Sequence, residues 1–170
     1  MKYTTILLIT LSSLSFAGFY ISYDAQATAE LEIFGISVDN DYDTGALTLG
    51  YEDDALNVIQ TLPENILIGA SFDVLKMKFG NDDSDVGDGF LNIYGKYTYV
   101  INDNFTAWGS LGYNLPMGDI DEADGGMLYG FGVIMDNGFG ASYIVQNISF
   151  TEEDINVDAT ISRISVSYSF

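Results

Sequence analysis

Two short stretches concentrate the residues best equipped for chemistry. Asn81 to Gly89 carries Asp82, Asp83, Asp85 and Asp88 among glycines, and the stretch from 118 to 126 carries Asp119, Asp121 and Asp124. Closely spaced carboxylates on flexible backbone are the oxygen ligands that Ca²⁺ prefers. Neither stretch has the EF-hand spacing, because the alternating third ligand before the glycine and the distal Glu are both missing. Each is therefore expected to be a solvated acidic loop holding Ca²⁺ loosely at most, and no other cofactor is expected. Lys76 and Lys78 continue the parity of Phe72 and Val74 to a strand end, where they could hold a lipid headgroup phosphate or simply snorkel at a membrane edge.

What the chain lacks narrows the chemistry further. It has no His and no Cys, which removes disulfides, thiolate and imidazole metal sites, and every catalytic scheme with a Cys or His base. Paired carboxylates remain as acid–base groups, but the expectation is a chain that is not an enzyme. With 5 Lys and Arg against 25 Asp and Glu, the formal net charge is −20. Nucleic acid, whose phosphates need basic partners, is not an expected ligand. Disorder is excluded by composition, since 48% of residues are hydrophobic and 14% aromatic.

The elements that must position these groups are strands. Residues 1–17 read as an export signal: Lys2 gives a positive start, Ile6 to Leu11 an apolar run, and Ser15-Phe16-Ala17 a small-residue cleavage site. The run falls short of the roughly 20 residues a membrane helix needs. Cleavage after Ala17 leaves 18–170 as one domain. There, apolar and polar residues alternate, most clearly at Phe19, Ile21, Tyr23, Ala25, Ala27, Ala29, Leu31 and Ile33, which are expected to share one face. Seven more strands are expected at about 43–61, 66–79, 90–101, 105–117, 127–136, 139–151 and 159–170.

Alternation alone does not say which face is inside, so a soluble lipocalin-like barrel competes with a membrane barrel. The connections decide between them. Residues 62–65, 102–104 and 136–138 are tight turns rich in Pro, Asn, Asp and Gly, whereas those around 39–43, 80–89, 118–126 and 152–158 are mostly longer. Fifteen of the acidic residues lie in these four, with no Lys or Arg among them. Short turns at one end and long loops at the other, with both termini on the short-turn side, is how outer-membrane barrels are organised.

The ending strengthens this. Val166, Tyr168 and Phe170 alternate up to a terminal aromatic, which resembles the assembly signal of bacterial outer-membrane barrels. Together with the strand number and length, it makes the mature chain similar to the small barrel superfamily typified by the OmpA transmembrane domain, OmpX and OmpW. The resemblance is architectural, covers the whole mature chain, and implies an all-β, eight-stranded antiparallel up-and-down transmembrane β-barrel in the Gram-negative outer membrane. The implied partners are outer-membrane lipid and lipopolysaccharide and the outer-membrane assembly machinery, with the protein a monomer.

Eight strands enclose a lumen that side chains nearly fill. If the polar face points inward, Asp24, Glu30, Glu32, Asp73, Lys96 and Arg163 are inside and must pair or hydrate. The expected function is envelope-structural and surface-interacting. The alternative is a narrow channel or conduit for small molecules, whether polar or hydrophobic.

Overall fold

The computed structural model describes residues 18–33, 36–41, 46–57, 59, 61–63, 65–73, 77–78, 85–86, 89–117, 123–152 and 155–170. Its strands are β1 (Phe19–Ile33), β2 (Ile36–Asp41), β3 (Leu47–Asp54), β4 (Ile66–Asp73), β5 (Met77–Lys78), β6 (Asp85–Val86), β7 (Gly89–Asn102), β8 (Phe105–Met117), β9 (Ala123–Asp124), β10 (Gly126–Met135), β11 (Phe139–Glu152) and β12 (Ile155–Ser169). Eight of them, β1, β3, β4, β7, β8, β10, β11 and β12, pair antiparallel with their neighbours, and β1 with β12 closes the ring. The fold is an eight-stranded antiparallel up-and-down barrel. β2 extends the β3 side of β1, β9 adds to β11, and β5 with β6 forms a separate short hairpin.

The short-turn end is built as its residues dictate. The Asn102 side chain accepts from the Asn104 amide at 3.0 Å, and that of Asn137 accepts from the Phe139 amide at 3.2 Å. Such side-chain turns replace backbone bonds that a two- or three-residue connection leaves open. Gly138 adopts φ 89°, where a side chain would be strained. At the far end two expectations change. β2 already pairs back on β1 from Ile36 to Asp41, so the connection expected around 39–43 is partly strand. The expected loop 152–158 is largely strand, since the β11–β12 ladder runs to Glu152 opposite Ile155.

The main correction concerns which way β1 faces. Asp24 pairs with Ser165 but Gln26 with Ile164, so Ala25 is an extra residue, a β-bulge. Side chains alternate with period two, so one inserted residue turns every later side chain to the opposite face. Below the bulge Tyr20, Ser22 and Asp24 point inward while Phe19 and Tyr23 are exposed. Above it Ala27 and Ala29 are buried and Glu30 and Glu32 are exposed. The unbroken apolar alternation of β1 therefore serves two faces in turn.

The same inversion appears in β12 without a bulge. Val157, Ala159 and Ile161 are buried, with Asp158 exposed between them, then Arg163 and Ser165 are buried while Ile164 and Val166 are exposed. The sequence simply exchanges its polar and apolar positions near residue 163. In its short-turn part the barrel is thus polar inside and apolar outside, whereas its far end is apolar inside and polar outside. The far end has its own core of Ala29, Phe90, Ile148, Ala159 and Ile161, with Leu31 packed against it.

Candidate functional site: the lumen

Charge and hydrogen bonding concentrate inside the barrel, in two tiers. The upper tier lies immediately under the apolar core and centres on Arg163 of β12, held in the lumen by strand parity. Arg163, Asp24 and Asp73 are 2%, 2% and 0% exposed, so their charges must be answered by one another. Arg163 Nη1 lies 2.7 Å from Asp73 Oδ2 and Nη2 lies 3.3 Å from Oδ1, a two-pronged contact. Arg163 Nε is 2.8 Å from Asp24 Oδ2, at an angle too poor for a hydrogen bond, so that contact is Coulombic.

One cation against two carboxylates leaves a negative excess, which neutral donors offset. Ser165 donates to Asp24 at 2.6 Å and Thr48 donates to Asp73 at 2.7 Å. Arg163 also donates to Gln146 and to Thr48, each at 2.9 Å. Gln146 then donates to Asn92 at 2.8 Å, and Asn92 to Ser71 at 3.2 Å. Fully buried Asn114 donates to the Asn147 carbonyl at 3.0 Å and accepts from the Gly126 amide. Between them these bonds tie together all eight strands of the ring.

The lower tier sits toward the short turns. Lys96 of β7 pairs with Glu52 of β3, both side chains about seven-eighths buried. The Lys96 ammonium stands 4.4 Å from the centre of the Trp108 ring, a cation–π distance. Tyr20 and Tyr94 join their hydroxyls at 2.8 Å, and Tyr94 donates to Glu52 at 2.8 Å. These rings fit because inward-facing glycines on neighbouring strands have no side chain. A Cβ on Gly69 would lie 2.6 Å from the Tyr94 ring, and one on Gly132 would lie 2.6 Å from Trp108. Alternation marked Glu52, Tyr94 and Trp108 as luminal only through their parity with Thr48, Lys96 and Ser110, and they were not singled out.

Of the six residues expected inside, Asp24, Asp73 and Arg163 meet in one cluster and Lys96 lies below it. Glu30 and Glu32 do not join them. The Ala25 bulge turns both to the outer surface, and the partner of Lys96 is Glu52. Val166 and Phe170 are outside, 52% and 61% exposed. Tyr168 meets the Phe139 and Phe170 rings edge-on, with centroids at 5.0 and 5.2 Å. Lys78 stands opposite Asp85 in the β5–β6 ladder, and Asp124 is exposed in β9. Lys76, Asp82, Asp83, Asp88, Asp119 and Asp121 lie outside the described residues. Among the described residues no three acidic side chains gather as a metal site.

No family model matches the chain, and no curated protein matches it. Among the solved structures that are similar in outline are Ail and OprG. Ail, the attachment invasion locus protein of Yersinia pestis, is 14% identical with a TM-score of 0.42, over 89% of this chain and 99% of that one. The outer membrane protein OprG from Pseudomonas aeruginosa is 13% identical with a TM-score of 0.45, over 91% of this chain and 96% of that one.

Below the upper tier the lumen holds a cavity of about 130 Å³. Its lining runs from Arg163 and Gln146 at the top to Thr98 and Ser169 near the short-turn rim. Above it, Ala29, Phe90, Ile148, Ala159 and Ile161 pack against one another inside the barrel. The lumen is therefore a blind recess under a double stopper, charged below and apolar above.

Proposed function

We propose that this chain is a closed, non-enzymatic barrel of the bacterial outer membrane, stabilising the envelope and presenting its acidic end to the outside. The observation that carries this reading is the pairing of an apolar outer belt with a stoppered lumen. Along β10, outward Met127, Tyr129, Phe131, Val133 and Met135 are all exposed. That ten-residue strand matches the roughly 9–11 residues with which a tilted strand crosses a bilayer. In water so continuous an apolar surface would drive association; in lipid it is the required surface.

On this reading the bilayer ends at the height where the strands invert. Outward residues become polar at Glu30, Glu32, Asp158 and Thr160, beyond the bulge and beyond Arg163. With the short turns at the opposite end, this orients the acidic connections outward and the turns toward the periplasm. A stoppered lumen supports the structural role over the conduit.

Impermeant thiol labelling of intact cells tests the placement, using Asp85→Cys and Asp103→Cys. Asp85→Cys is expected to label and Asp103→Cys to stay dark until the cells are broken. The reverse pattern overturns the orientation, and recovery of the protein in the soluble fraction overturns the membrane assignment.

A further inference from the structure

The blind recess has a lopsided wall. On the β1, β3 and β7 side stand Tyr20, Glu52, Tyr94 and Lys96, with their hydroxyls and charges tied to one another. On the β8, β11 and β12 side Ser110, Ser142, Ser167 and Ser169 line the cavity, with Trp108 and Ile144 beside them. None of the hydroxyls of these four makes a hydrogen bond to any described residue, in contrast to those of Ser71 and Ser165 of the upper tier. Leu67, Leu128, Ile134 and Ile144 supply apolar wall between them.

We propose that this recess is a binding site for a small neutral molecule with one ring-sized apolar body and a hydroxyl, the chemistry of a simple phenol, entering from the short-turn end. The size argument is direct. A cavity of about 130 Å³ is close to the roughly 150 Å³ of an engineered cavity that takes up benzene. The charge argument follows from the lining, where Lys96 is neutralised by Glu52 and Arg163 is fully committed to Asp24 and Asp73. A charged guest finds no free counter-ion there and must shed its water, so a neutral guest is favoured. The unpaired serine hydroxyls give a guest hydroxyl both donors and acceptors, which a plain hydrocarbon leaves unused. This inference goes beyond the structural role proposed above and depends on neither its membrane placement nor its orientation.

Trp108, the chain's single tryptophan, lines the recess and reports on it. The refolded full chain in detergent is titrated with phenol while its emission, excited selectively at the indole, is followed. Phenol is expected to give a saturable change. Benzene and glycerol, each lacking half of the chemistry, are expected to bind about tenfold more weakly. Ser142→Leu places a larger side chain in the recess and is expected to abolish saturation while the barrel still shows heat-modifiable migration on a gel. Ser167→Leu takes its place if Ser142→Leu does not fold. A linear, non-saturating response shared by the wild type and a folded Leu variant reports collision or micelle partitioning and overturns the site. Tighter binding of benzene than of phenol overturns the role of the serine hydroxyls.

Discussion

Arg163 on β12 and Asp73 on β4 are separated around the ring by β3 and β1, yet their side chains meet at 2.7 Å. The bond spans the lumen, so these strands cannot part without exposing a charge that nothing else compensates. Arg163→Ala is expected to destabilise the barrel by about 3–5 kcal/mol, the range for breaking a buried ion pair from one side. Lys96→Ala is expected to cost less, because Glu52 and Lys96 keep some contact with water. Urea unfolding in lipid vesicles, followed by heat-modifiable migration, measures both. Equal losses would show that the Arg163 cluster is not the main clamp.

Ala25 sets the face of half a strand. Deleting it is expected to force Glu30 and Glu32 inward and Ala27 and Ala29 outward, or to break the upper β1–β12 ladder. Folded yield should fall sharply, whereas Ala25→Ser, which keeps the residue count, should fold as the wild type does. Normal yield from the deletion would mean that the bulge does not fix the register.

Phe170 closes the ring as well as ending the alternation. Its amide donates to the Phe19 carbonyl at 3.0 Å and its ring lies edge-on to Tyr168. Removing Phe170 is expected to reduce the amount of folded barrel in the membrane. Comparison of heat-modifiable protein in washed membranes checks this, and an unchanged amount would count against an assembly role for the terminal aromatic.

Lys96 lies below the stopper rather than in it, as its neighbours Glu52 and Trp108 show. Lys96→Ala is therefore expected to widen the recess without opening the barrel, leaving planar bilayers as silent as the wild type does. Steady small openings from this variant alone would move the constriction down to the Lys96 level.

The strand content was legible because period-two alternation survives in every spanning strand, and Asn- and Gly-rich turns punctuate it. β10 reads from its sequence as it stands in the barrel. Inversion of the faces was not legible in β1, since Ala25 continues the apolar alternation and nothing local marks it as the extra residue. That single unseen bulge sent Glu30 and Glu32 to the wrong face, whereas Glu52 shared the luminal parity of Thr48 and was not singled out. In β12 the inversion was visible, with Asp158 and Ile164 on one parity and Ile161 and Arg163 on the other. Its meaning emerged only once pairing with β1 placed both strands at the same height. The buried Arg163 cluster could be anticipated as a set of luminal charges, but its geometry depends on register around four strands, which no local pattern encodes.

The closed lumen is the centre of this account, and single-channel recording tests it most directly. Wild-type protein, shown by heat-modifiable migration to be folded in the same vesicles, is fused into planar bilayers under an applied potential. The double stopper of Arg163 with Asp24 and Asp73, topped by Phe90, Ile148 and Ile161, predicts no steady conductance. Sustained, reproducible openings from the folded wild type would contradict the stoppered lumen and make the chain a channel.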